Sequence, residues 1–466
     1  MATMQRGIPM PAAVCRIIRR LNGAGYEAWA VGGCARDSLL GRTPNDWDLC
    51  TSARPEQVAA VFADCRVLPT GIAHGTQTVL WEGVPYEITT YRVEGAYSDG
   101  RHPDVVAYTD RLEQDLARRD FTMNALAAHP ELGLVDPFHG IEDLRAGVLR
   151  AVGDPARRFE EDALRILRAL RFAAKYDLTV EPATAQAARE LAPRLCNVSR
   201  ERVTQELWSL LSAPDGEAVA RILEEFRPVV LQVLPELTVC VGFEQRSPWH
   251  EYDVWEHQLR TLAAVEPLEG EDLPLVRLTA LLHDVGKPAC CTEDPDGTRH
   301  FCGHWDVGAD MVREMLNTQL RLPAQVRDTI VDLVRIHDHP MEPTPRTVRR
   351  ALSSLGEHKV RQWMALHRAD LIAHGLPEQR RKRLLEELDK TVGFAALLEE
   401  ELARAACLNL RDLAVKGGDL IALGFAPGPA LGRALHALLE AVMDERVENR
   451  REPLLEEARR LLTAPQ

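Results

Sequence analysis

The chain has 466 residues, room for two to four domains, with 45% hydrophobic and 27% charged residues, the balance of a globular protein. It contains no run of 18 apolar residues, which excludes a hydropathy-type membrane span, and MATMQRGIPMPAAVCRIIRR has no apolar stretch before a small-residue cleavage site, so secretion is not expected. The net charge of −14 speaks against uniform nucleic-acid binding, but seven basic residues face four acids between Arg150 and Lys175, and Arg380-Arg381-Lys382-Arg383 forms a second basic run.

In chain order, residues 11–22 pattern as a helix and YEAWAVGG as a short strand ending in glycines. DWDLCTS, TQTVLWEG and YEITTYR are β-rich or alternating, the texture of a small mixed sheet. From about residue 154 strand signals nearly vanish. FEEDALRILRALRFAAKY, TAQAARELAPRL and VTQELWSLL carry apolar residues at helical spacing. A break falls near 240–250, and a histidine-rich helical stretch follows to about 375. HGLPEQ marks another break, and the remainder is helical around KGGDL and GFAPGPALG. The expected architecture is multidomain and mostly α, with an α/β head over 1–153, a helical neck over 154–245, a helical domain over 246–375 and a helical tail over 376–466. Ten cysteines without CxxC pairs read as reduced thiols. A cytoplasmic chain is expected, with no membrane association and no obligate protein partner.

In VGGCARDSLLGRTPNDWDL, Gly32-Gly33 follows an apolar strand and precedes a helix starting near Ala35, a geometry that lets backbone N–H groups approach phosphate. Arg36 lies just inside that helix, within reach of a phosphate oxygen. Asp46 and Asp48 stand two apart in an expected strand, so their carboxylates share a face. Two hard oxygen donors on one face suit Mg²⁺, whose other positions water and triphosphate can fill, and Glu87 in YEITTYR offers a third carboxylate. A lone DxD is more often a solvated turn, and a lone GG only a turn; the combination is more specific.

This combination resembles the nucleotidyltransferases of the DNA polymerase β superfamily. More closely, it resembles class II tRNA nucleotidyltransferases (CCA-adding enzymes) and their bacterial poly(A) polymerase relatives. The resemblance runs through EITTYR, SDGRHPDVV, DLARRDFTMNALA, DPFHGIEDLRAGVLRAVGDP and RFEEDALRILRALRFAAK, roughly residues 25–210. It implies a polymerase β-like mixed sheet in the head and addition of CCA to the tRNA 3′ end from CTP and ATP. It further implies nucleotide binding by Gly33, Arg36, Arg119, Asp162, Arg165, Arg168 and Arg171, and Mg²⁺ on Asp46 and Asp48.

The residues carry the same logic. EDALRILRALRF places Asp162 and Arg165 at i, i+3, on one helix face. Asp only accepts hydrogen bonds and Arg only donates them. Cytosine and adenine each show an amino donor beside a ring acceptor, so both fit this pair. Uracil and guanine reverse the pattern and leave buried groups unpaired at about 1–3 kcal/mol each. Arg168 and Arg171 continue the helix; salt bridges to Glu161 or Asp162 are the structural alternative. Asp120, after Arg119, doubles as a local cap, and Asn124 reads as structural. The resemblance makes Asp136 and Asp143 part of a head–neck hinge, and makes SDGRHPDVV a flexible loop supporting the change from C to A addition.

DVWEHQLRTL, LTALLHDVGKP, HFCGHWDVGA, VRIHDHP and LHRADLIAH supply a second constellation. His283-Asp284 is expected inside an apolar helix that Gly286 and Lys287 end. Imidazole and carboxylate ligands from separate helices suit a metal such as Mn²⁺, Ni²⁺, Zn²⁺ or Fe²⁺. The pattern resembles HD-domain phosphohydrolases. His257, His283, Asp284 and Asp370 match their ligands, and His304 and His337 match the extra histidines of some members that permit a second metal. Lys287 is placed to neutralise phosphate. His250, His339, Cys290 and Cys291 are read as bystanders.

KGGDLIALGFAPGPALGRALHALL puts glycines before a helix, suited equally to phosphate contact or to turns in a bundle. The resemblance assigns this tail to holding the tRNA acceptor arm through shape and phosphates. The expected protein is a CCA-adding enzyme with an HD domain and hydrolytic side activity. An A-adding enzyme or poly(A) polymerase is the nearest alternative. A metal phosphohydrolase with an RNA-binding head, or a noncatalytic RNA-binding module, are alternatives of another class.

Overall fold

Val14, Ile17, Ile18 and Leu21 recur at i, i+3, i+4 and i+7 in the helix Ala12–Gly23, and all four are fully buried. They pack on Ala28, Ala30, Leu49 and Ile88 of the neighbouring sheet and on Phe62. These features come from a computed structural model that describes residues 7–72, 75–94, 106–247, 250–268, 272–375, 381–404 and 407–463. SDGRHPDVV falls almost wholly outside them, as does Arg380. The chain forms two compact units, Met1–Pro235 with Gln319–Arg321, and Glu236–Thr318 with Leu322–Gln466.

The first unit begins with a seven-stranded mixed sheet in the spatial order Arg66–Gly71, Thr76–Trp81, Val84–Thr90, Leu49–Thr51, Ala28–Val31, Ala127–His129, Gly133–Val135. Leu49–Thr51 runs parallel to Val84–Thr90 and antiparallel to Ala28–Val31. The DWDLCTS strand is shorter than expected. Asp46 and Asp48 precede it in a loop, because the ladder begins only at Leu49. The backbone still runs alongside its neighbour there, as the Val31 N–H donates to the Asp48 carbonyl at 2.9 Å.

Helices then take over. Asp154 caps Pro155–Glu161 by accepting from the Ala156 N–H at 3.0 Å, with proline at the first turn. The expected continuous helix over FEEDALRILRALRF is broken. Asp162 is extended (φ −149°, ψ 104°), and a new helix, Leu164–Tyr176, starts after it. The break has a local cause: the Asp162 side chain accepts from the Leu164 N–H at 3.1 Å and so caps the second helix. Ile166, Leu167, Ala169, Leu170, Ala173 and Ala174 bury one side of that helix, leaving its arginines on the other.

Among its described residues the second unit is helical apart from the hairpin Thr292–Glu293 and Arg299–His300 and an isolated bridge between Glu244 and Asp253. Val254–Ala264, Asp272–Leu282, His304–Thr318, Ala324–Ile336 and Glu357–Ala373 form the histidine-rich part. Pro429–Met443 and Arg451–Thr463 enclose a separate core including Leu413, Val415, Leu420, Leu438 and Leu454. The mostly helical architecture with an N-terminal mixed-sheet head is the one expected. Among the described residues no helix is long and apolar enough to cross a membrane.

Candidate active site and metal centre

Gly32 ends the strand Ala28–Val31 with φ 76°, a left-handed conformation, and precedes the short helix Gly33–Leu39. A Cβ at Gly32 would stand 2.8 Å from Arg119 Nη1, and one at Gly33 would stand 3.5 Å from Arg36 Nη2. Two guanidinium groups thus flank a bare backbone turn. Arg36 is not the free cation expected. Its Nε donates to Asp37 at 2.9 Å and its Nη1 to Asn124 at 2.6 Å, while its plane lies against Phe172 and Tyr176. Only Nη2 is left toward the turn.

The register of Leu49 with Ile88 brings Asp48 beside Glu87. Asp48 keeps an exposed surface, but protein packed around it, together with Asp46 and Glu87, pushes its carboxyl up to about 6, with Arg119 working the other way. Asp48 and Asp46 also sit near Cys34 in the helix after the glycines, where burial first and then Asp48 push the thiol up to about 12. Asp48, repelled by Asp46 and Glu87 and set next to a phosphate-type turn, fits a divalent cation, which would relieve that repulsion.

On the neck, the Asp162–Arg165 pair expected to sit together on one helix face is held differently. Asp162 Oδ2 accepts from Arg202 Nη2 at 2.7 Å. Arg165 Nη1 donates to Glu161 at 2.8 Å and to the Arg158 carbonyl at 3.0 Å, and Nη2 donates to the Arg118 carbonyl at 3.1 Å. Arg168 pairs with Asp120 at 2.7 Å, not with Glu161 or Asp162, and Arg171 pairs with Glu206 at 2.5 Å. Despite its burial, Asp120 is held down at about 2 by Arg168 and Asn124. Arg36, Asn124, Asp120 and Arg168 form one hydrogen-bonded chain from glycine turn to neck helix. Arg202, Glu206 and Tyr176 escape a reading of local spacing because their partners lie 35 or more positions away. Asp136 uses both oxygens to accept from the N–H groups of Gly140 and Ile141, and Asp143 accepts from Thr122 and Arg150.

In the second unit the histidines converge. His283 and Asp284 lie not inside the helix Asp272–Leu282 but on the turn after it, and Gly286 and Lys287 begin the next short helix rather than ending one. His257 and His283 Nε2 lie 3.5 and 3.2 Å from Asp284 Oδ2, and 2.8 and 3.6 Å from Asp370 Oδ1. His304 and His337 Nε2 lie 3.3 and 3.6 Å from the other oxygen, Asp284 Oδ1. The Nδ1 atoms of His283, His304 and His337 each meet a carbonyl three residues back, at 2.8, 2.8 and 2.7 Å, which turns each Nε2 inward. Apart from their contacts with one another inside this cluster, His257 Nε2, His283 Nε2, Asp284 Oδ1 and Asp370 Oδ1 are buried without hydrogen-bond partners. Such a set fits two metal ions, one on His257, His283 and Asp284, the other on Asp284, His304 and His337.

A cavity of about 370 Å³ opens onto this cluster, lined in part by His250, Lys287, Arg299, Trp305, His374 and Arg383. His250 is no bystander. Its ring centroid is 5.4 Å from that of His257 and 4.7 Å from that of His374, and its Nε2 is 3.2 Å from Lys287 Nζ. His374, one turn beyond Asp370, was signalled by a D-x3-H spacing that sequence reasoning passed over. Gly286 is packed so closely that a Cβ would meet the His304 carbonyl at 2.2 Å and the Gly308 nitrogen at 2.6 Å. Gly286→Ala is therefore expected to cost about 1–3 kcal/mol in urea unfolding. Metal titration should show weaker binding at the His304–His337 group than at the His257–His283 group.

The chain is similar to known proteins along most of its length. A CCA-adding enzyme of Limosilactobacillus reuteri is 32% identical over 450 residues, covering 94% of each chain. The chain belongs to the CCA-adding enzyme family. It is thus an enzyme of the nucleotidyltransferase type. Another family relative, from Leuconostoc mesenteroides, is 47% identical over 220 residues, covering 47% of this chain and 54% of its own. The crystal structure of the Bacillus stearothermophilus CCA-adding enzyme in complex with CTP matches with a TM-score of 0.67 and 28% identity, over 97% of this chain and 99% of that one. Family models match for the poly A polymerase head domain over residues 28–150 and the HD domain over residues 254–393. The RNA- and SrmB-binding site of polymerase A matches over 177–240, and tRNA nucleotidyltransferase domain 2 over 347–458. The HD domain of this family member implies divalent metal use, as does its head.

Proposed function

We propose that this enzyme completes the CCA end of tRNA from CTP and ATP without a nucleic-acid template, releasing pyrophosphate, and that its HD centre hydrolyses phosphoesters. The observation that carries the first part is the convergence of three carboxylates, the Gly32–Gly33 turn and the arginine-bearing helix Leu164–Tyr176 in one unit. In this reading the head is 1–153, the neck 154–245, the HD domain 246–375 and the RNA-holding tail 376–466. Relatives solved with tRNA, CTP and ATP support these substrates.

Asp46 and Asp48, with Glu87 alongside, would hold Mg²⁺. Two such ions would supply charge that acidifies the attacking 3′-hydroxyl and shields the leaving pyrophosphate. The turn backbone, Arg119 and the remaining Nη2 of Arg36 hold the triphosphate in line with that hydroxyl. Asp162 accepts the amino group of cytosine or adenine, and Arg165 donates to the adjacent ring nitrogen. Arg202 and Glu161 hold these two side chains apart from each other and aimed, so selection rests on a rigid surface. In the second unit, His257, His283, Asp284 and Asp370 would hold one ion and His304 and His337, sharing Asp284, another. Lys287 and Arg299 place positive charge where a phosphate enters.

The test is extension of tRNA lacking its 3′ end with CTP, ATP, UTP and GTP, singly and together, followed by product sequencing. Wild type should add CCA. Arg165→Ala and Asp162→Ala should each lose about 10-fold or more of the preference against UTP and GTP, or lose addition altogether. Unchanged preference in both variants contradicts the reading. The match to a poly A polymerase head favours one second reading, and runs of A from ATP alone would select it.

A further inference from the structure

The neck helix Leu164–Tyr176 carries cations at 165, 168, 171 and 175, a row about 15 Å long whose first three members are paired with Glu161, Asp120 and Glu206. At its end, Arg36, Arg42 and Lys175 surround one ring, at 4.7, 4.8 and 5.4 Å from the centroid of Tyr176. The nearby carboxylate, Asp37, is already engaged, since its Oδ1 accepts from both Arg36 Nε and the Tyr176 hydroxyl at 2.9 Å. Among the described residues neither Arg42 nor Lys175 forms an ion pair with a carboxylate. Lys175 is pulled below its ordinary value by burial and then by Arg36, with Arg171 and Arg42 adding to it and Asp37 opposing. In a chain of net charge −14 this is a local excess of positive charge kept at a cost.

Its position has a direction. Arg36 joins the cluster to the glycine turn, and the Arg36–Asn124–Asp120–Arg168 chain ties both to the helix whose other end reads the base. Arg36, whose Nη2 faces the turn, lies against the same Tyr176 ring as Arg42 and Lys175, so phosphates held at the turn would stand one arginine away from these two cations. We propose that Arg42, Lys175 and the Tyr176 ring between them form an accessory subsite for inorganic pyrophosphate, which receives the leaving group as it departs from the turn. The proposal rests on the nucleotidyl-transfer reading above. In that reaction the bond from the RNA 3′-oxygen to the α-phosphorus forms as the bond from the α-phosphorus to the bridging oxygen breaks. The hydroxyl proton passes to solvent, and pyrophosphate leaves with the electron pair.

The experiment uses the full chain with Mg²⁺. Binding of inorganic pyrophosphate is measured by calorimetry, and its inhibition constant in tRNA extension is measured in parallel. Arg42→Ala/Lys175→Ala should weaken both by about tenfold or more, with Arg42→Lys/Lys175→Arg restoring them to within about threefold. Arg42 is exposed, so Arg42→Gln alone tests the site without disturbing packing and should give about threefold or more. Equal pyrophosphate affinity in wild type and variants overturns the proposal. So does a tenfold rise in KM for tRNA with pyrophosphate binding unchanged, which would make the cluster an RNA-backbone contact. A wild type that fails to extend RNA sinks the transfer reading instead, and the calorimetric comparison still decides whether pyrophosphate binds here.

Discussion

Asp48→Asn is expected to lower nucleotide incorporation by about 10³-fold while the fold survives, as read by single-turnover extension and by thermal unfolding. The carboxylate lies beside Glu87 and near Asp46, and an amide there cannot supply the negative charge that a divalent cation needs. The same residue carries a pH signature. Its carboxyl stands at about 6 in the fold, above the ordinary 3.8, because burial and its acidic neighbours disfavour the charged form. The folded state therefore binds the proton more tightly than the unfolded chain. Stability without divalent cations falls as pH rises from about 4 to 6, and the loss is complete above that window. In chelator, Asp48→Asn should be more stable than wild type at pH 7 and should lose that advantage below pH 4. A variant melting like wild type at both pH values would contradict the crowding of these carboxylates.

The second large effect belongs to Asp284. Its two oxygens serve different histidine pairs, so Asp284→Ala should empty both metal groups at once, whereas His304→Ala should empty only one. Elemental analysis of protein purified with Mn²⁺ present checks this directly. The proposed phosphoester hydrolysis should fall by about 10³-fold or more, with nucleotide addition by the head as the internal control. A variant that keeps one ion would mean that the two groups do not share this carboxylate.

The periodicity of the chain carried the head sheet and the helical remainder, which follow from alternation and 3.6-residue spacing, both local patterns. The histidine and aspartate set of the second unit was implied by the resemblance to HD domains, and the fold brings those side chains together. Asp162 was misplaced because E-D-A-L reads as uninterrupted helix. What breaks it is a self-made cap, an i, i+2 contact that helical periodicity does not display, reinforced by Arg202 forty positions on. Asp46 and Asp48 were put in a strand because alternation says nothing of where a ladder starts. Arg36 looked like a free phosphate ligand, since the aromatic surface that holds it, Phe172 and Tyr176, comes from the far side of the unit's sequence. His250 was discounted because a single histidine after a proline-containing break carries no spacing signal, and only the folded chain sets it against His257 and His374.

Three imidazoles of the HD centre are tethered by carbonyls three residues back, those of His283 and His337 by the last turns of the helices before them and that of His304 by Phe301 in the loop before its helix. Ring tautomer and direction are thus decided as each local turn forms, before any ion is met. Loading then calls for no rearrangement of the main chain, and how quickly an ion is captured depends on its passage through the opening rather than on assembly of the pocket.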